Sequence, residues 1–202
     1  MVEKIVDCIV KSQTSSGKIK QEENSVYLYG YTLLFEKLIN IVIVLLISFV
    51  TGRWIEIWVF LFAVIPLRSF VGGWHAKKFW QCTVISNAAV ILLLVIIEKI
   101  IIKNQIFYAV FEITIGILMC WLVPVQNENK PLSLEEEKKY KKISYFIWGI
   151  ECCIIPLVIL QKKYKYATII LYAHFIIIFA ALVGRISNTN KIKKEARIQH
   201  NE

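Results

Sequence analysis

The sequence predicts an all-α integral membrane protein: about six hydrophobic helices, preceded by an N-terminal amphipathic helix lying at the membrane interface. Three observations carry that prediction. Of 202 residues, 57% are apolar or aromatic. They fall in runs approaching twenty residues, the length a helix needs to cross a bilayer. The charged residues collect between the runs, with most of the Lys and Arg on alternate loops.

Residues 1–13 place Val2, Ile5, Val6, Ile9 and Val10 on one helical face, with Glu3, Lys4, Asp7 and Lys11 away from it. Such a face suits either the membrane surface or the protein's own cytoplasmic loops. Charges through this stretch speak against a secretory signal peptide. QTSSGKIKQEEN then reads as an exposed connector, so that 1–30 form a helix and a linker.

The transmembrane domain is expected over 31–183. Its first segment spans 31–50. The second, Trp54 to Leu67, has only fourteen residues, about 21 Å as a helix against a hydrocarbon core of about 30 Å. These first two segments could therefore be short or re-entrant, forming a hairpin around Thr51, Gly52 and Arg53. Cys82 to Ile97 is the third and Ile106 to Val125 the fourth, with Lys103, Asn104 and Gln105 as the turn between them. A hydrophilic stretch follows, QNENKPLSLEEEKKYKK, in which Ser133 stands three residues before Glu136. That spacing is a capping box and predicts the start of a short helix. Ile143 to Leu160 and Ala167 to Val183 complete the six, and the basic tail 184–202 is expected to be loosely ordered.

The net charge of +9 does not point to nucleic acid, because the basic residues sit in loops. Five lie before or at the start of the first segment, three in 68–78, five in 130–142 and five in the tail. On the other side stand Arg53, Lys99, Lys103, Lys162, Lys163 and Lys165. The positive-inside rule then favours six crossings, with both termini cytoplasmic in the cell membrane. The five cysteines are Cys8, Cys82, Cys120, Cys152 and Cys153. Their odd number, the absence of CxxC and the strained adjacency of Cys152 and Cys153 argue against a disulfide framework.

Between the second and third segments lies RSFVGGWHAKKFWQC, residues 68–82. His75 and Cys82 are a candidate base and nucleophile. On one straight helix they would stand about 10.5 Å apart along the axis, too far for proton transfer. Gly72 and Gly73 can break the chain, leaving Cys82 at a helix start, where backbone N–H groups favour a thiolate and can meet an oxyanion. Arg68, Lys77 and Lys78 add positive charge. A zinc site would lack its third and fourth ligands nearby, and no cofactor is called for. Glu56, Glu112, Glu151 and His174 are ionisable residues inside hydrophobic segments, where bonding between helices is the blander reading and function the sharper one. Neither Glu56 nor Asn87 is assigned as the residue that orients His75.

The R-x3-GG-x-HA-x5-C pattern, with the loop PVQNENKPLS between two late segments, resembles the accessory gene regulator B family, membrane cysteine peptidases of Gram-positive quorum sensing. The resemblance implies a substrate of the AgrD type, a small peptide with an amphipathic start and an acidic tail, and it implies a homodimer in the lipid bilayer. It also implies roles: Cys82 as nucleophile, His75 as base, and Arg68, Gly72, Gly73, Lys77 and Lys78 as positioning residues. Cleavage would release the tail and leave a thioester on Cys82, which a hydroxyl or thiol of the peptide then attacks to close a ring. Two other classes compete. A peptide exporter without chemistry would place its polar groups at mid-bilayer, and a thiol oxidoreductase would need two cysteines able to meet.

Overall fold

The computed structural model describes residues 2–74, 79–126 and 132–199, with side chains described from Lys4 to Thr189 apart from Phe79. Its elements are α1 (Val2–Ser15), a single 3-10 turn (Gln21–Glu23), α2 (Asn24–Thr51), α3 (Trp54–Val71), α4 (Phe79–Lys99), α5 (Gln105–Leu122), α6 (Leu134–Leu160) and α7 (Tyr164–Gln199). Six helices, α2 to α7, are long and apolar enough to cross a membrane. The protein is a multi-pass helical membrane protein.

Helix α7 is the axis of the bundle. Two thirds of its apolar span, 67%, is buried inside the protein, against 11% for α2. It packs on α3, α4, α5 and α6. One core joins α2, α3, α4 and α7 around Ile57, Phe60, Leu93, Ile169 and Ala173. A second joins α3, α5 and α7 around Leu67, Val71, Met119, Val125, Ile177 and Ala181. The outer faces carry Phe49, Ile106, Trp121 and Leu160, all strongly exposed. In a membrane these meet lipid, so their exposure carries no solvation penalty.

Several boundaries differ from the sequence expectation, each for a physical reason. Helix α3 does not stop at Leu67 but continues to Val71, with Pro66 inside it. A proline removes one backbone hydrogen bond without ending a helix whose neighbours hold it. At 18 residues it reaches about 27 Å, long enough to span with modest adjustment, and α2 is longer still, so neither is re-entrant in length. The last three residues expected of the fourth segment leave α5 after Leu122 and run extended. The Ser133 capping box is present, but it opens all of α6 rather than a separate short helix. The tail expected to be loosely ordered continues α7 to Gln199. Finally, α1 buries Val6 and Val10 against its neighbour α2, where Thr14 Oγ1 donates to Asn24 Oδ1 at 2.7 Å and Tyr31 Oη to Gln13 Oε1 at 3.0 Å. Its apolar face is thus shared between the protein and the surroundings, since Ile5 stays exposed.

The up-and-down course gives the bundle two ends. Arg68–Trp74, Cys82, Leu122–Gln126, Ser133 and the turns of α7 from Ala180 to Asn188 gather at one, which we call the site end. The hairpins at Gly52, 100–104 and 161–163 form the far end. There Arg53 pairs with Glu98, Lys165 with Glu56, and Arg53 Nη1 lies 3.8 Å from Glu56 Oε1, tying α3, α4 and α7 together.

Candidate functional site

The chain breaks where the two glycines stand. Helix α3 ends at Val71, Gly72 and Gly73 take φ of +73° and +130°, and helix resumes at Phe79. Only glycine takes such angles without strain, which is why the helix ends here. A Cβ on Gly73 would stand 2.9 Å from the Ala180 carbonyl oxygen, and one on Gly72 would overlap the Val125 carbonyl. Both positions therefore lack room as well as conformational licence.

The break is held on three sides. Arg68, one turn before the end of α3, donates its guanidinium to the Gly72 carbonyl and, at 2.9 Å, to the Trp74 carbonyl. The Trp74 amide donates to the Ala180 carbonyl of α7 at 2.9 Å. The Val125 amide donates to the Val71 carbonyl at 2.9 Å, and Gly72 forms a parallel bridge with Val125. Backbone groups freed by the end of α3 are thus satisfied by neighbouring elements, as burial requires.

Cys82 is the fourth residue of α4, on its first turn, and half-buried. The structure therefore brings Arg68, Gly72, Gly73 and Cys82 to one end of the bundle. His75, Lys77 and Lys78 lie outside the described residues, as does the Asn127–Pro131 part of the proline-containing loop. Glu56 sits twelve residues before Arg68 on α3, at the opposite end of the bundle, paired with Lys165. Asn87 donates to Asn40 Oδ1 at 3.1 Å and to the Thr83 carbonyl at 2.8 Å, a link between α4 and α2.

The other intramembrane ionisable residues form a separate cluster. His174, fully buried, lies with Nδ1 2.9 Å from both Glu112 carboxylate oxygens and Nε2 2.6 Å from Glu151 Oε2. Trp148 Nε1 donates to Glu112 Oε2 at 3.0 Å, and Cys152 Sγ at 3.4 Å. One imidazole thus clasps α5 and α6 to α7, the interhelical bonding expected as the blander reading. Among the described residues no group of three or more potential ligands is arranged to hold a metal. No disulfide joins the five cysteines, all of them described.

Sequence reasoning missed the partners of the break. Val123–Val125, the residues after α5, were expected as helix, Gln126 as the start of a hydrophilic stretch, and Gly184, Arg185 and Asn188 as tail. Arg185 Nη1 donates to the Trp121 carbonyl at 2.5 Å and the Leu122 carbonyl at 3.4 Å, and Asn188 Nδ2 to the Gln126 carbonyl at 2.9 Å. A glycine just before the first arginine of a basic run was a faint signal for close approach, readable only once α7 was known to continue.

Comparison with known proteins sets this site in context. The family model described as Accessory gene regulator B matches residues 2–181. The chain is 26% identical to Protein FsrB of Enterococcus faecalis over 175 residues, covering 83% of this chain and 69% of that protein. It is 28% identical to AgrB-like protein 2 of Clostridium perfringens over 148 residues, 70% of this chain and 69% of that one. No solved structure matches it.

Proposed function

The chain belongs to the accessory gene regulator B family, whose members take part in quorum-sensing peptide processing, and from this and the geometry of the break we propose that it is a membrane cysteine endopeptidase that also cyclises its product. The observation that carries the reading is the break in helix after Val71, at Gly72–Trp74. It removes the straight-helix objection to a His75–Cys82 pair and leaves Cys82 on the first turn of α4.

The reaction follows from ordinary thiol chemistry. His75 takes the Cys82 proton, and Sγ attacks the scissile carbonyl of an AgrD-type precursor. The oxyanion that forms meets backbone N–H groups at the start of α4. Collapse breaks the C–N bond, His75 protonates the leaving amine, and the acidic tail departs. The remaining peptide stays as a thioester on Cys82. A thiol or hydroxyl within that peptide attacks the thioester, passing its proton through His75 to the departing Cys82 sulfur, and a thiolactone or lactone is released. Ring closure competes with hydrolysis only if water is kept out and the internal nucleophile is held near. The half-buried setting of Cys82 suits that demand.

Arg68 supports the site by gripping the carbonyls of Gly72 and Trp74. Lys77 and Lys78 are suited to the acidic tail of the precursor. The loop charges orient the site end toward the cytoplasm, where an unprocessed precursor first arrives. The family resemblance supports a homodimer.

The deciding experiment is cleavage of the cognate precursor by the purified protein in proteoliposomes. Cys82→Ala and His75→Ala should abolish cleavage while inserting normally; normal processing by Cys82→Ala would defeat the reading. One observation favours a second reading, export without chemistry: the polar cluster of Glu112, Glu151 and His174 lies in the middle of the bundle, where transporters hold their cargo. Release of intact peptide from sealed vesicles would support it.

A further inference from the structure

We propose that Gly184 and Arg185 of α7 are positioning residues for the Cys82 nucleophile, an inference that rests on the peptidase reading. Gly184 seats the Gly73–Trp74 step against α7, and Arg185 holds the Val123–Gln126 strap that backs the double glycine.

The seat is a backbone-to-backbone contact. A Cβ on Gly184 would stand 2.5 Å from the Trp74 nitrogen, 2.7 Å from the Gly73 carbonyl carbon and 3.0 Å from its Cα. All three are main-chain atoms, so no flexible side chain can swing away to make room. Nor is the step free to retreat. Arg68 grips the carbonyls of Gly72 and Trp74, and the Trp74 amide is bonded to the Ala180 carbonyl, one turn before Gly184 on the same helix. A methyl group at 184 must break that bond or push the step outward.

The strap is held by the following turn of α7. Helix α5 ends at Leu122 with its last carbonyls lacking helical partners, and Arg185 donates to the carbonyls of Trp121 and Leu122. Asn188 fastens the other end through the Gln126 carbonyl. Between these anchors the Val125 amide reaches the Val71 carbonyl, and its own carbonyl lies where a Cβ of Gly72 would be. Arg185 therefore acts on the break from behind, through the strap, and Gly184 acts on it directly.

The Gly73–Trp74 step is the last described point before His75, and Cys82 follows eight residues after Trp74. A displacement of about 1 Å at a catalytic group can lower a rate about a hundredfold without changing what the substrate touches. Gly184 and Arg185 therefore set where the chain that leads to Cys82 leaves the break, and the acidic tail of the precursor has no need to meet them.

The test uses the full-length protein in proteoliposomes with a synthetic precursor. Gly184→Ala should lower kcat by about tenfold or more and leave KM within about twofold, as expected for a displaced catalytic group. Arg185→Ala should act in the same direction, and Arg185→Lys should recover most of the loss, because both carbonyls are met by one nitrogen, Nη1, whose place a single ammonium can take. A readout without peptide runs in parallel: the rate of Cys82 alkylation by iodoacetamide, followed on the Cys82 tryptic fragment by mass spectrometry well below each variant's thermal midpoint, should shift in Gly184→Ala and Arg185→Ala relative to wild type. Wild-type kcat and alkylation in both variants would overturn the proposal, as would an effect confined to KM. If Gly184→Ala fails to insert, the Arg185 pair decides. Should Cys82→Ala cleave normally, the peptidase reading falls, while the alkylation rates still decide the positioning.

Discussion

Arg68 stands where two explanations of a basic residue separate. A positive charge near a peptidase site is suited to an acidic substrate tail, yet this guanidinium is engaged with the carbonyls of Gly72 and Trp74. A planar fork can serve two carbonyls at once, whereas a single ammonium on a flexible stem cannot hold the same geometry. Arg68→Lys should therefore reduce cleavage about tenfold or more even though charge is retained, the loss appearing in kcat as for a misplaced catalytic group. Near-normal turnover with a raised KM in that variant would return Arg68 to substrate binding. Gly72→Ala should cost about 1–3 kcal/mol through its positive φ alone, before the overlap with the Val125 carbonyl is counted, and a lowered midpoint in detergent would register it. By contrast, Cys152 donates to Glu112 and Cys153 is exposed, both remote from Cys82. The double variant Cys152→Ser, Cys153→Ser should cleave within about twofold of wild type, consistent with a hydroxyl replacing the donated hydrogen bond.

At the scale of elements, the clasp of Glu112, Glu151 and His174 fixes α5 and α6 on α7, and so fixes the origin of the strap that leaves α5 at Leu122. Glu112→Ala would leave the Trp148 indole, the Cys152 thiol and one side of His174 without their acceptor. Leaving buried polar groups unmatched costs about 1–3 kcal/mol, so the thermal midpoint should fall, and Glu112→Gln should lose less. Unchanged stability in Glu112→Ala would mean that the clasp holds nothing. Much of this level was legible in the sequence. Six segments could be counted from the apolar runs, and Ser133 with Glu136 announced the start of α6, because a capping box is local chemistry. What could not be read was non-local. Nothing within 123–126 tells that its amide will be used by Val71 on α3, and nothing within 184–188 tells that a helix continues there until the Trp121, Leu122 and Gln126 carbonyls supply partners. The expected end at Leu67 fell short for the opposite reason: the apolar run does stop there, but the packing of α3 against α7 carries the helix through Arg68 to Val71.

For the whole molecule, the candidate site was legible as a pattern and only partly as a geometry. The double glycine announced a break, and the break is there, with Cys82 on the next helix's first turn. The close seat on α7 came from three-dimensional packing alone. Topology supplies its own test. With the site end cytoplasmic, a single cysteine placed at Lys162 should react with a membrane-impermeant maleimide added to intact cells, and one at Lys138 should react only after permeabilisation. The reversed pattern would invert the bundle and remove the site from the side where the precursor is made.

The central claim is that a peptide bond is broken by Cys82 and survives briefly as its thioester. Intact-mass spectrometry of the protein, quenched in acid during reaction with its precursor, tests this most directly. The account predicts a species heavier than the free protein by the precursor lacking its tail, mapped to the Cys82 fragment, released by hydroxylamine and absent from His75→Ala and Cys82→Ala. Continued cleavage at the wild-type rate in Cys82→Ala, with no adduct at any time point, would contradict it.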